Sequence, residues 1–377
     1  MTSEERHQCR YERRKNKREK KKQQFLEDLP SFEQVFTFQN LYNSYILCKQ
    51  GVTWKASMQG YEANLLVNLA NLQERLLNHT YRSKGFHKFT IRERGKLRNI
   101  RSVNIDERIV QRCLCDYFLI PLLRRNLIYD NGATLKGKGT DFTLHRLRDH
   151  LYDYVKENGT EGYILIYDFT DYFNSINHTK LYEMLDPMIL DDDLRELVHH
   201  FIDNFGDKGL GLGSQISQIC AVAYPNPLDH YFKDELGVKG YGRYMDDEYI
   251  ICKTKEDVKK CIDMLYKICA ELDIKISERK LHISKITKPF IFLKKKIFVA
   301  PDGKVVMSLV RKTITHERRK LKKYYNKHIN SDMPYKDVEC AYLSWRGSAR
   351  RFANHRAIKN MDELFNNLFI FNKEIFV

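Results

Sequence analysis

The chain has 377 residues, 42% of them hydrophobic, and carries a formal net charge of +16 from 65 Lys and Arg against 49 Asp and Glu. That is enough apolar material for a sizeable core and two or three subdomains, yet no run reaches the length of a membrane span and the charged amino terminus is unlike a secretory signal, so a cytoplasmic protein is expected. The cysteines are scattered without a CxxC pair or a Cys/His block, which argues for buried free thiols over zinc or disulfides, and the basic excess points to a polyanionic partner, nucleic acid first.

In chain order, residues 1–24 hold almost no apolar side chains and predict a basic arm that is disordered, or helical only when bound to nucleic acid. From Phe25 to Tyr81 the spacing of Leu, Phe and Tyr is mostly helical. His87 to Val103, "HKFTIRERGKLRNIRSV", predicts two basic strands around an Arg94-Gly95 turn, and a helix follows in "DERIVQRCLCDYFLIPLLRR". "GYILIYD" (Gly162 to Asp168) is a short continuous apolar run, the pattern of a buried strand with an acid at its tip.

"YGRYMDDEYI" (Tyr241 to Ile250) sets two adjacent aspartates in a β-branched and aromatic run, which strands disfavour. The flanks predict strands over Lys239 to Met245 and Glu248 to Cys252, with Asp246-Asp247 at the hairpin tip. An ordinary Asp-rich surface turn is the plain alternative. Next comes a helix capped by Thr254. "FIFLKKKIFVA", the turn Pro301-Asp302-Gly303 and "KVVMSLV" predict further hairpin structure, and from Arg311 onward the pattern is helical and strongly basic. There is no internal repeat and no Pro- or Gly-rich linker.

Both acid-tipped strands are apolar enough to pair in one sheet, bringing Asp168 beside Asp246 and Asp247. Such a cluster is repulsive without cations. Two Mg²⁺ ions about 3.5–4 Å apart would relieve it and would suit in-line phosphoryl transfer.

At these residues the sequence resembles reverse transcriptases of the right-handed polymerase type. "DFTDYFNSI" (Asp168 to Ile176) is similar to motif A, "GLGLGSQISQ" (Gly209 to Gln218) to motif B, "YMDD" to motif C and "ISERKLHI" (Ile276 to Ile283) to motif D. "FIFLKKKIF" (Phe290 to Phe298) resembles the primer-grip hairpin and "RERGKLRNI" the fingers hairpin. The likeness covers Lys88 to Phe298 and extends more loosely to the end. Motif B departs from the common Gln-Gly-x-x-x-Ser-Pro: Leu212 stands for Gln and Gln218 for Pro. That departure resembles the diversity-generating retroelement group and its defence-associated prokaryotic relatives, and "IYDNGATLKGKGT" (Ile128 to Thr140) and "YLSWRGSARRFANH" (Tyr342 to His355) fit the same clade. The absence of a maturase or endonuclease extension after the thumb speaks against a complete group II intron protein.

The resemblance implies an α+β right-hand fold: a basic arm (1–24), fingers (25–160), palm (161–285), primer-grip hairpin (286–309) and basic helical thumb (310–377). It implies an RNA-directed DNA polymerase. The two Mg²⁺ ions, with Mn²⁺ as a substitute, would be held by Asp168, Asp246, Asp247 and the Phe169 carbonyl. Lys96 and Arg98 would clamp the triphosphate, with Arg92 or Arg94 as stand-ins. Phe173 would exclude a 2′-hydroxyl, unless it simply packs in the core, and Lys280 would act as general acid on pyrophosphate. Gly213 would let the backbone approach the nascent base pair, where Leu212 supplies an apolar contact. Tyr244, Met245, Lys294, Lys295, Arg318, Arg319 and Arg346 would follow the template and primer, with Trp345 either a stacking platform or core. The expected partners are template RNA, cDNA primer or product and dNTPs; a structured non-coding RNA or an accessory protein is a further candidate. An RNA-binding scaffold of the same fold, or template-independent DNA synthesis in phage defence, is the alternative reading.

Overall fold

The computed structural model describes residues 2–93, 96–352 and 355–370, without the side chains of Glu93 and Lys96. Among the described residues nine strands form three antiparallel sheets. β1 (His87–Glu93) pairs with β2 (Lys96–Ser102) as an isolated basic hairpin. β3 (Tyr163–Asp168), β4 (Tyr241–Tyr244), β5 (Asp247–Cys252) and β6 (His282–Lys285) form the central sheet in the order β4-β5-β3-β6. β7 (Phe290–Phe292), β8 (Lys295–Val299) and β9 (Val305–Leu309) make the third.

The apolar runs of β3 and β5 are covered on both faces, and the two-residue side-chain period of a strand divides them between two cores. Leu165, Tyr167, Ile250 and Cys252 enter the large core, which includes Leu265 and Cys269 of the Lys255–Glu271 helix. Ile164, Ile166, Tyr249 and Ile251 face the other way, onto Leu144, Leu147 and Leu151 of the Thr140–Asn158 helix and onto Phe290, Phe292, Ile297 and Val299 of the third sheet. The central sheet is therefore a rigid middle layer, fixed on both sides before any charged residue is considered.

The helices Phe38–Lys49, Leu65–Leu77 and Ile105–Leu114 join the large core through Leu41, Tyr45, Leu69, Leu72, Ile109 and Val110. The last three helices, Arg311–Ile329, Tyr335–Ala349 and His355–Phe369, enclose a separate cluster of Leu321, Val338, Tyr342, Met361, Phe365 and Phe369. Trp345 packs against this cluster and stacks on Tyr342 at 6.0 Å, so it belongs to the helical core. Six of the nine thiols are buried, while Cys9 and Cys340 are exposed. Among the described residues no helix is long and apolar enough to cross a membrane.

Two expectations change, and one falls outside the described residues. The amino-terminal arm is a continuous helix, Ser3–Glu27, entered through a reciprocal capping box between Thr2 and Glu5. Its Glu, Gln, Lys and Arg residues are strong helix formers, and Gln8–Glu12 and Gln23–Glu27 bonds of 3.0 and 2.8 Å add support four residues apart. β4 is shorter than expected, and β5 begins one residue earlier, at Asp247, because only Met245 and Asp246 make the turn. The fingers turn expected at Arg94-Gly95 lies outside the described residues.

Candidate active site

Antiparallel pairing places Asp168, the last residue of β3, directly opposite Asp247, the first residue of β5. Tyr244 pairs with Asp247 across the two-residue Met245-Asp246 turn. Met245 takes φ 56°, a left-handed conformation that tight hairpins demand and that non-glycine side chains resist. One hairpin and one neighbouring strand end thus bring three carboxylates to the same sheet edge.

Their electrostatics follow from that crowding. Asp168 is buried, and the Lys280 ammonium pairs with its Oδ2. Burial, reinforced by Asp246 and Asp168, pushes the Asp247 carboxyl up to about 7. Burial and then Asp168 raise Asp246, while Lys280 and Arg98 pull it back. Lys280 arrives there through the backbone: Ser277 N–H donates to Asp168 O at 2.8 Å, Thr170 N–H to Lys275 O at 2.7 Å, and Lys280 N–H closes a turn onto Ser277 O at 2.8 Å. Among the described residues no set of three His, Cys, Asp or Glu side chains is arranged to hold a metal ion as it stands. The donor set nevertheless fits a hard cation. It is all oxygen and acidic; Lys280 pairs with Asp168 and pulls Asp246 and Asp247 down, but burial still leaves both raised.

A buried polar network supports the hairpin from beneath. Arg243 of β4 is wholly buried and forks onto Asp229, Nε to Oδ1 at 2.9 Å and Nη2 to Oδ2 at 2.5 Å. Its other donors reach Val222 O at 2.9 Å and Met245 O at 3.2 Å, so the same guanidinium holds the turn carbonyl. Glu248, also fully buried, lies 3.8 Å from Arg243 and accepts from the Tyr167 hydroxyl, with the Tyr241 hydroxyl 3.0 Å away. Burial pushes its carboxyl up to about 8, against the pull of Arg243. One guanidinium therefore faces two acids and is balanced chiefly by Asp229. The Arg243 backbone also bonds Asp130 O at 3.1 Å and Gly132 N at 2.8 Å, which seats the Ile128 to Thr140 segment on the open edge of β4. Sequence reading passed over Asp229, Arg243 and Glu248; the signal was charged residues set inside otherwise apolar runs.

In front of the acids lies a cleft of about 540 Å³, lined by Asp168, Phe169, Asp246 and Lys280 on the sheet side and by Arg98 and Arg101 of β2 opposite. Phe173 and Leu212 also line it, and the Phe173 ring is only half-buried, meeting Tyr172 edge-on at 5.9 Å. Phe173 thus lines the cleft while its partly buried ring also packs against the large core. Arg101, Lys208 and Asn174 are further polar residues of the cleft that the sequence did not single out.

Other expected residues lie elsewhere. Asp247, paired with Asp168 across β3 and β5, is not among the residues lining the cleft. Gly213, at φ 111°, makes its close approach to β2: an added Cβ would meet Arg101 O and Ile100 Cγ2 at 3.3 Å each. Arg101 N–H fastens this approach by donating to Leu212 O at 3.1 Å. Tyr244 and Met245 pack against the small cluster of Leu127, Ala133, Leu135 and Val222. Lys294 is exposed in the β7–β8 turn, while the Lys295 ammonium sits 4.1 Å above the Phe352 ring. Arg318 and Arg319 are exposed on the Arg311–Ile329 helix. Arg346 makes a two-pronged pair with Asp362 at 2.6 and 2.8 Å, which joins the last two helices. The Lys96 side chain and Arg94 lie outside the described residues, and Arg92 is exposed on β1.

Residues 84–331 match the family described as reverse transcriptase (RNA-dependent DNA polymerase). The chain belongs to the reverse transcriptase family, whose members are nucleotidyltransferases, and its three lobes are the fingers, palm and thumb of the right-hand polymerase fold. Similar solved structures include telomerase from Candida albicans in complex with a fragment of telomeric RNA (TM-score 0.49, 13% identity, 76% of this chain and 55% of that one). Telomerase from Candida tropicalis is another (0.47, 14%, 63% and 52%), as is its form truncated from the C-terminal domain (0.46, 16%, 58% and 54%). This chain spans about half the length of those telomerase chains. No curated protein matches the sequence.

The network beneath the hairpin yields a stability test. Arg243→Met leaves Asp229 buried without its cationic partner, holding only the Tyr241 hydroxyl at 2.6 Å, and should cost about 3–5 kcal/mol. The double change Arg243→Met with Asp229→Leu, which replaces the pair by apolar groups, should recover most of that loss. Denaturant midpoints of the two variants against the unaltered chain check both numbers; equal stability of the single variant would contradict the network.

Proposed function

We propose that this protein copies an RNA template into DNA, joining dNTPs to a primer 3′ end. The observation that carries this reading is the meeting of Asp168 with the Asp246-Asp247 hairpin at the floor of a cleft whose opposite wall is basic. Two Mg²⁺ ions, with Mn²⁺ as a substitute, would be held by Asp168, Asp246, Asp247 and the Phe169 carbonyl. When bound they supply Lewis acidity to the 3′-hydroxyl and to the triphosphate. The reaction forms a bond from the primer 3′-oxygen to the α-phosphorus and breaks the α–β phosphate bond, releasing pyrophosphate.

The remaining roles fall to this chain's own residues. Arg98, with Lys96, offers guanidinium and ammonium donors to the phosphates. Lys280, poised on Asp168, gives a proton to the departing pyrophosphate. The half-exposed Phe173 ring occupies the space a ribose 2′-hydroxyl would need, and Leu212 offers the nascent base pair an apolar surface. Lys294, Arg318 and Arg319 stay exposed for the template and primer backbone. The segments 25–160, 161–285, 286–309 and 310–377 serve as fingers, palm, primer grip and thumb. Leu212 and Gln218 in motif B support a place among the diversity-generating or defence-associated prokaryotic reverse transcriptases, working in the cytoplasm, with antiphage defence or cassette mutagenesis as the setting.

Three measurements test the proposal. Purified protein with Mg²⁺, an RNA template and a DNA primer should extend the primer. Asp246→Asn should abolish extension while RNA affinity stays unchanged; full extension by that variant would remove the metal assignment, and RNA binding without extension by the unaltered chain would favour the scaffold reading.

Sugar choice tests Phe173. Phe173→Ala should raise rNTP use relative to dNTP use on the order of 10–10²-fold, the range that shape alone discriminates. An unchanged ratio in a folded variant would return the ring to a packing role.

Copying errors test Leu212. Leu212→Gln should lower misincorporation on a defined RNA roughly tenfold, equivalent to about 1.4 kcal/mol at the transition state. Equal error rates would show that packing around Leu212 positions the base pair as well as a hydrogen bond does.

A further inference from the structure

The Ser3–Glu27 helix is unusual in having almost nothing to pack against. Every residue from Thr2 to Gln24 is exposed, and the helix meets the body only at its last turns, where Leu26 enters the large core and Arg125 lies 4.4 Å over the Phe25 ring. At about 1.5 Å per residue the exposed part is a rod roughly 33 Å long.

Its charges are sorted by face. With about 100° between successive residues, Arg6, Arg10, Arg13, Arg14, Lys17, Lys20 and Lys21 fall within one arc of ~120°, and no acid falls in it. Glu5, Glu12 and Glu19 recur every seven residues on the other side, together with Lys15 and Lys22. A tail that served solubility alone would need no such sorting. The basic stripe runs about 22 Å from Arg6 to Lys21, and Gln24 is the only uncharged side chain in the arc after Ser3.

We infer that this stripe is a docking surface for the phosphate backbone of base-paired RNA lying outside the catalytic cleft, the folded part of the template molecule. This rests on the template being RNA, as proposed above. Charge complementarity selects the occupant: a continuous row of Arg and Lys matches a row of phosphates, and each phosphate neutralised releases a counterion. An anionic membrane is the poorer match, because a helix that lies in a lipid interface needs an apolar face. Apart from Cys9 and Tyr11, the exposed part of this helix has none. The anchored end keeps the rod attached to the fingers, so RNA held on it stays tethered to the protein while its unpaired end feeds the cleft.

The test uses the full chain and two charge-matched variants. One loses the stripe (Arg13→Gln, Lys17→Gln, Lys20→Gln) and the other loses three bases from the remaining surface (Lys15→Gln, Arg18→Gln, Lys22→Gln). Gln keeps helix propensity, and circular dichroism confirms equal helix content. Binding to an RNA hairpin without primer or dNTP is measured across a salt series. Primer extension is measured separately on a short unstructured RNA.

The stripe variant should bind the hairpin about tenfold or more weakly, and its log–log salt slope should fall by about 2–3. The other variant should change by less than threefold, and both should extend the short template as the unaltered chain does. Equal losses in the two variants would overturn the docking surface and leave only diffuse charge. Unchanged hairpin binding, with face-dependent binding to vesicles of anionic lipid, would overturn it in favour of a membrane. Face-dependent hairpin binding in a chain that extends no primer would leave the docking surface standing and remove the polymerase reading instead.

Discussion

Mutual repulsion of three carboxylates at one sheet edge is the constraint around which the palm is organised. Two like charges about 4 Å apart at an effective dielectric near 20 repel by about 4 kcal/mol, a large share of a typical stability margin of about 5–15 kcal/mol. The structure answers with rigidity and with charge. β3 and β5 are clamped between two apolar cores, so the acids cannot drift apart by bending the sheet. Lys280 neutralises Asp168, while burial first, and then Asp246 and Asp168, keeps the Asp247 carboxyl raised. A site left short of positive charge in this way is suited to cations that arrive with substrate.

Rigidity behind the turn has its own cause. Met245 sits in a left-handed conformation, and the guanidinium of Arg243 holds its carbonyl from within the core. That guanidinium is in turn held by Asp229, and its backbone receives the Ile128 to Thr140 segment. A single buried cation thus joins the turn, a helix, the sheet edge and a crossing loop. Buried ion pairs often add little net stability relative to apolar packing, but they fix geometry where one arrangement is required. Here the geometry being fixed is that of the acidic turn.

The parts of the cleft contributed by distant segments are assembled mainly by backbone contacts. The Lys275–Ser277 stretch is zipped to the end of β3 and to Thr170 through Ser277 and Lys275, and the loop at Leu212 is fastened to β2 through Arg101. Arg101 also donates to Phe205 O at 2.8 Å and lies near the Phe86 and Phe205 rings, which stack on each other at 4.9 Å. Fingers and palm therefore meet at an ordered seam beside the cleft, and Gly213 is small because that seam is tight. Farther out, basic residues are partly taken up by packing: Lys295 on Phe352, Arg346 on Asp362 and Arg351 on Asp141. These contacts commit positive charge to holding the carboxyl-terminal helices, whereas Arg318 and Arg319 stay exposed.

Strand and helix periodicity in the sequence determined the element types: the buried strand ending in Asp168, the acid-tipped hairpin, the basic fingers hairpin and the helical carboxyl-terminal third. Local patterns suffice there, because a strand buried on both faces and an amphipathic helix leave signatures within ten or twenty residues. The pairing of Asp168 with the acidic hairpin was also legible, since two apolar strands with acids at their ends have few other ways to be buried together. Only the tertiary structure brought Arg101, Asn174 and Lys208 into the cleft beside Asp246, because their segments meet through long-range packing that no local pattern encodes. It alone revealed the Arg243 network, whose side chains lie up to 81 residues apart (Tyr167 to Glu248) and whose partners no spacing rule specifies. The amino-terminal arm marks the opposite limit: its composition spoke for a charged tail, but whether that tail winds into a helix with one basic face depends on capping and on an anchor at Phe25 and Leu26 that exists only once the body has folded.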